Sequence, residues 1–226
     1  VEKNRKLVIV GSGEFGRIAF EYFTYDSNYE VVAFSVERDF LQDTVIEGCP
    51  VVPLDELAQR FDPKEHDVYV AVTYTQLNRV RTRLFKSVKG LGYRCASYVS
   101  SRAFVWRNVE LGENVFIFEN NVVQPFCKIE DNVVLWSGNH IGHRSVVEAN
   151  CYLSSHIVVS GYCEIGSSSF VGVNATFADN VAIGPDCLIG MASTVNRNLE
   201  GGKVWTGSPV EASRIPSLRY FKVKEV

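Results

Sequence analysis

The sequence predicts an α/β domain over residues 1–98 followed by an all-β parallel β-helix over 99–226 that ends in a C-terminal tail. Three observations carry this expectation. An aliphatic or aromatic residue recurs every six positions from Val105 to Val195, sixteen times without a break. Ahead of that run, short aliphatic stretches alternate with segments of helical spacing. Between the first stretch and its helix stands GSGEFG, residues 11–16.

Composition sets the outer limits. With 226 residues, 46% hydrophobic composition and a net charge of −3, the chain has enough apolar surface for one or two packed domains. The slightly acidic balance argues against a nucleic-acid partner. No apolar run approaches ~18 residues, and no charged n-region precedes an apolar h-region of signal-peptide type, so neither a membrane span nor a signal peptide is expected. The expectation is a cytoplasmic protein.

In the first domain, Leu7–Val10 (LVIV) reads as a buried strand and the segment after the glycine loop, to about Phe23, as a helix. Strands are expected at 31–36 (VVAFSV) and 68–72 (VYVAV). A helix is expected over 75–90, because Leu77, Val80, Leu84, Val88 and Leu91 keep helical spacing. This is a small doubly wound, Rossmann-like unit. GSGEFG satisfies GxGxxG between a strand and a helix, where backbone N–H groups can approach a phosphate at the helix N-terminus. Glu37, after the second strand, sits where a ribose-binding acid would stand. A dinucleotide, a nucleotide sugar and a glycine turn without ligand all remain open on this motif, although the domain is short for the six strands of an NAD(P) fold.

In the second domain, small residues precede the aliphatics by two positions, among them Cys127, Ser145, Cys151, Cys163, Ser169 and Cys187, and glycine often follows them. This is the pattern of a hexapeptide β-helix. Three hexads close a triangular coil, so residues 18 apart stack. Four of the six cysteines occupy the small inward class, and no CxxC pair exists, so buried thiols are expected in place of disulfides or a zinc site.

The stretch WSGNHIGHRS (136–145) holds His140 and His143, and His156 follows. Their spacings of 3 and 13 do not stack by 18, which argues against a shared metal. An imidazole can instead take the proton from an amine or hydroxyl attacking a thioester. The oxyanion formed in that attack needs a fixed backbone donor, and Gly161, 18 residues beyond His143, is the candidate.

A glycine-loop α/β domain joined to a hexapeptide β-helix resembles the bacterial nucleotide-sugar acyltransferases of the NeuD/PglD type over essentially the whole chain. GSGEFG (11–16), IGHRSVV (141–147), GVNAT (172–176) and WTGSPVEASR (205–214) carry the resemblance. It implies a left-handed β-helix, a homotrimer, and transfer of an acyl group from acetyl-CoA or another acyl-CoA to a nucleotide-linked sugar in surface-polysaccharide or glycan biosynthesis, with neither metal nor NAD. It places the general base on His143. The family follows that histidine with Glu or Asp; this chain has Arg144, which leaves Glu119, Asp131 or a residue of another subunit to orient the imidazole. Tyr152 replaces the family's second histidine.

Positions matching Tyr152, Gly161, Val173 and Met191 lie near the acyl carrier or the reacting groups in that family. Coil arithmetic stacks Ser155 with Val173 and Met191 along one face, where a pantetheine arm can lie, and His156 is added there. Lys203 and Arg214 are candidates for the coenzyme A phosphates. The acceptor contacts implied are Gly11, Gly13, Glu14 and Phe15, then Ser35, Val36 and Glu37, then Thr73 and Tyr74, with His140 as polar lining. Two other readings remain: a non-catalytic scaffold that senses a nucleotide sugar, and a metalloenzyme resembling gamma-class carbonic anhydrases.

Overall fold

The computed structural model describes residues 2–224. They form two compact units, one ending at Thr73 and resuming over Arg81–Tyr98, the other made of Tyr74–Val80 and the chain from Val99 onward.

In the first unit, β1 (Arg5–Val10), β2 (Tyr29–Val36), β3 (Val45–Ile46), β4 (Cys49–Pro53) and β5 (His66–Val70) form one sheet in the order β3-β4-β2-β1-β5. All neighbours are parallel except the β3–β4 hairpin. Leu7 to Val10 are all buried, as a parallel strand covered on both faces requires. The helix α1 (Glu14–Tyr25) buries Phe15, Ala19 and Phe23, four residues apart on one stripe. Phe23 meets the rings of Tyr29, Tyr69 and Tyr98 at 5.5, 5.2 and 5.5 Å. A single turn, α2 (Leu57–Arg60), precedes β5.

The next helix, α3 (Arg79–Gly90), starts four residues later than the apolar spacing predicts. Gln76, Leu77 and Asn78 have φ of 52°, 49° and 65°, and three consecutive left-handed residues cannot continue into a right-handed helix. Leu77 is buried from that turn, whereas Leu91, beyond the helix, is exposed.

The second unit is a β-helix. Two-residue strands recur every six residues from Phe104–Val105 to Thr194–Val195. Their parallel register joins residues 18 apart, for example His140 with Val122 and Val158, and Leu153 with Leu135 and Val171. Every ruler residue from Ile117 to Val195 is buried. Leu111 is exposed because it lies in the first strand of its face, with no coil beneath it.

The corners follow a second six-residue rule that the aliphatic ruler does not reveal. From Asn114 to Ala192 every sixth residue has positive φ, Gly138 among them. Asparagine fills six of these corners, at 114, 120, 132, 150, 174 and 180, because its short side chain tolerates the left-handed conformation. Stacked by 18, they make three columns. The first holds Asn114, Asn132 and Asn150, whose amides form a ladder with two 2.9 Å bonds. The second holds Asn120, Gly138, His156 and Asn174, and the third Phe126, Arg144, Tyr162 and Asn180.

The 18-residue step shortens at the end of the coil, where Ile183 already bridges Leu199, 16 residues on. Leu188 pairs with Val204 and Ile189 with Trp205, a step of 16. A hairpin of Lys203–Gly207 and Val210–Pro216 then caps the coil and brings Trp205 and Val210 into the core. All six cysteines are free, and Cys127, Cys151, Cys163 and Cys187 point inward as expected. Burial pushes the Cys187 thiol up to about 11, which disfavours the reactive thiolate.

Candidate functional site

The first unit leaves open space ahead of a helix N-terminus, at the loop that follows β1. Strand order places β2 and β4 on one side of β1 and β5 on the other, so the loop after β1 lies at the point where the order reverses, the usual ligand crevice of an open α/β sheet. Gly11 has φ of 119°, and a Cβ there would meet the Ala71 carbonyl oxygen at 2.6 Å. At Gly16 a Cβ would lie 2.2 Å from the Gly11 oxygen. Both glycines are thus demanded by packing of the turn against the strand and helix. Gly13 differs: it caps α1 without a side-chain bond, and a Cβ there would meet nothing within 4 Å. The space before the helix N-terminus is open, and its backbone N–H groups face it.

The other residues expected here divide into backbone and side-chain contributors. Phe15 and Val36 are buried, with Phe15 edge-on to Tyr69 at 6.2 Å, so only their main chains are available to a ligand. Ser35 is buried at the end of β2, its carbonyl accepting the Gly11 N–H at 2.8 Å, while its hydroxyl has no protein partner. Glu14 is exposed in the first helical turn. Glu37 is held by Arg83 through two bonds of 2.7 and 2.8 Å, and the guanidinium keeps its carboxyl below the usual range. Sequence reasoning missed Arg81, wholly buried, which donates to the Thr73 carbonyl at 3.2 Å and so fixes the loop after β5.

Tyr74 is placed elsewhere than expected: it belongs to the second unit. Arg79, in the same segment, pairs with Asp186 at 2.6 Å, and Asn78 donates to the Ser168 carbonyl at 3.2 Å. Tyr74 thereby meets the rings of Tyr152 and Phe170 at 5.1 and 4.7 Å.

Those rings floor a groove of about 690 Å³ that Tyr74, Tyr152, Ser155, Val173 and Met191 line together. The 18-residue column predicted for the acyl carrier is therefore one surface. Trp136 and Phe170 complete the floor: the Trp136 indole N–H donates to the Tyr152 hydroxyl, and Tyr152 stacks on Phe170 at 5.8 Å and 12°. The 18-residue spacing of Tyr152 and Phe170 was the available signal for this floor. Lys203 does not reach it. Val204 and Thr206 line the groove, so strand alternation turns Lys203 away, and its ammonium pairs with Glu200 at 2.6 Å. Arg214 is exposed on the capping hairpin and does not line the groove.

His143 is exposed beside the third corner. Its backbone N–H donates to Gln124 Oε1 at 2.8 Å, and its ring meets Tyr162 edge-on at 5.1 Å. Gly161 lies against that ring, since a Cβ there would come within 2.6 Å of His143 Cε1. The Gly161 N–H, expected to be free for an oxyanion, donates to Asp179 Oδ1 at 2.9 Å. Glu119 and Asp131 stand at the other two corners, where Glu119 accepts from Ser137 at 2.6 Å and Asp131 from the Glu113 N–H at 2.8 Å. Neither orients His143 within the chain. Arg144 lies over the Phe126 ring at 4.5 Å.

The remaining histidines diverge from His143. His140 is half-buried on a flat face between Val122 and Val158, and His156 is at the second corner, against Gly138. Among the described residues no three His, Cys, Asp or Glu side chains form a metal-binding group, and no helix is long and apolar enough to cross a membrane.

Comparison with known proteins matches both parts of the chain. Residues 6–88 match the PglD N-terminal domain family, and residues 108–143 match the bacterial transferase hexapeptide (six repeats) family. The resemblance drawn from the glycine loop and the hexads is thereby borne out. Among solved structures, PerB from Caulobacter crescentus in complex with CoA and GDP-perosamine is 24% identical, with a TM-score of 0.82 over 92% of this chain and 97% of that one. The acetyltransferase domain of PglB from Neisseria gonorrhoeae, in complex with acetyl coenzyme A, is 23% identical, with a TM-score of 0.83 over 93% and 100%. WeeI from Acinetobacter baumannii is 19% identical, with a TM-score of 0.52 over 93% and 100%. The shared fold is an α/β domain followed by a left-handed β-helix. No curated protein matches the chain.

Proposed function

We propose that this chain transfers an acetyl or other short acyl group from coenzyme A to an amine or hydroxyl of a nucleotide-linked sugar. The groove carries the reading. Ser155, Val173 and Met191 rise along the helix axis beside an aromatic floor, a surface shaped for a rod-like, mostly apolar pantetheine arm. Two structures of the same fold hold coenzyme A or acetyl coenzyme A, and one of them also holds a nucleotide sugar.

In this reading the sugar nucleophile attacks the thioester carbonyl, His143 takes the proton it loses, and the imidazolium returns that proton to the departing thiolate. The Gly161 N–H serves the oxyanion only in exchange for its bond to Asp179. The glycine loop receives the diphosphate, with Gly13 leaving room for it.

The groove and His143 lie at different corners of the coil. A side of six residues at ~3.3 Å each spans roughly 20 Å, too far for one chain to bring both to a single reacting carbon. A homotrimer about a three-fold axis supplies His143 from one copy to the groove of the next. The reaction belongs to the cytoplasm, where acyl-CoA and nucleotide sugars are available, and to glycan or surface-polysaccharide assembly.

Incubation of a UDP-, GDP- and dTDP-sugar panel with acetyl-CoA, read by mass spectrometry, should show one acceptor gaining a single acetyl group as free thiol appears. Sub-millimolar NAD binding with no acetylated sugar would reject the assignment. Sedimentation should give a trimer; a stable, active monomer would remove the shared site.

A further inference from the structure

We infer that Gln124 is the positioning residue of His143 and that it sets the tautomer by which the imidazole acts as a base; this rests on the assignment of His143 above. Gln124 Oε1 lies 2.8 Å from the His143 backbone nitrogen and 3.3 Å from its ring Nδ1. The oxygen and nitrogen of an amide have nearly the same outline, but a backbone N–H can only donate, so the atom facing it is the oxygen. That same oxygen faces Nδ1. An amide oxygen can only accept, so Nδ1 carries the proton and Nε2 is left with the lone pair.

The surroundings leave the role to Gln124. Gly161 closes one side of the ring and Tyr162 stands edge-on to it. The charged and titratable neighbours are Arg144, whose guanidinium lies over Phe126, Asp179, which accepts the Gly161 N–H, and Tyr162. Among the described residues no carboxylate is hydrogen-bonded to the His143 ring, and the two carboxylates suggested by the sequence stand at other corners. The position is also legible by coil arithmetic, since Gln124 precedes His143 by 19 residues, one coil and one residue.

A neutral amide and a carboxylate do different work on an imidazole. Both orient it by accepting from Nδ1–H. Only the carboxylate also stabilises the imidazolium and raises the pH at which the base loses activity. Gln124 therefore sets the geometry of the base without adding charge.

Nitrogen-15 NMR of histidine-labelled protein, at a pH where the imidazoles are neutral, should give a protonated Nδ1 and an unprotonated Nε2 for His143. Gln124→Leu should yield a mixture of tautomers and a turnover lower by about 10- to 100-fold, with the KM for acetyl-CoA unchanged. Gln124→Glu should keep the wild-type tautomer, recover most of the turnover, and move the acid limb of the kcat/KM profile up by roughly one pH unit. An unprotonated Nδ1 in the wild type, or an unaltered tautomer in Gln124→Leu, would overturn the inference. Since NMR reads the tautomer without reference to turnover, these outcomes stay separate from a failure of His143 as the base, which His143→Asn would reveal by keeping full activity.

Discussion

His143→Asn should lower turnover by about 10²–10⁴-fold, the range of a lost general base, while coenzyme A affinity stays as it is. The side chain is exposed beside a coil corner and away from the core, so stability should change by no more than about 0.5 kcal/mol. Steady-state kinetics beside calorimetry with coenzyme A would separate proton transfer from binding. A turnover equal to that of the wild type would sink the assignment. The same variant tests the shared site. Val173 lines the groove, and Val173→Trp should fill it and abolish activity by itself. Trimers refolded from equal parts of the two inactive variants should regain activity at about a quarter of their sites, because a site needs histidine from one chain and groove from the next. A site built within one chain would regain none.

Gly13→Val should raise the KM of the nucleotide sugar by about 10- to 100-fold, the equivalent of losing one or two charge-assisted hydrogen bonds. Gly13 has φ of −72° and ψ of −172°, an extended conformation that valine adopts readily, and its Cβ would touch nothing. The cost to folding should be about 1 kcal/mol, from a poorer helix cap. The added isopropyl group would stand in the space before the α1 amides, so binding should suffer more than stability. Affinity for coenzyme A should not move. Gly16→Ala offers the contrast: its methyl would lie 2.2 Å from the Gly11 oxygen and should unfold the loop itself. Unchanged acceptor kinetics in a folded Gly13→Val protein would place the sugar nucleotide elsewhere.

Local pattern carried much of this architecture. The period of six is stated by single residues, and each obeys it for its own reason: an aliphatic at 141 or 153 has nowhere to go but inward, and an asparagine at 132 or 150 is among the few residues at ease in a left-handed corner. Stacking by 18 follows from three such units per coil. That arithmetic alone brought Ser155, Val173 and Met191 into one groove and laid Gly161 on His143. The glycine loop was legible likewise, because two of its glycines answer to steric contacts that leave no choice of residue.

What the pattern could not state are the choices made by particular partners in space. Glu119 and Asp131 were reasonable partners for a base by residue type, yet the coil sends them to other corners and offers Gln124. Tyr74 was implied as an acceptor contact by the resemblance and lies in the second unit, and Lys203, a candidate for the coenzyme A phosphates, is turned from the groove by strand alternation. The Gly161 amide was expected to be free and is bonded to Asp179, one coil on. By itself the sequence determined the two-domain plan, the coil, the glycine loop and the corner on which His143 stands, because each rests on a repeat or on the steric need of one residue. Only the tertiary structure decided which donor meets which acceptor around that histidine, because a hydrogen bond depends on a few ångströms and an angle between residues 18 or 19 apart, and periodicity carries no record of either.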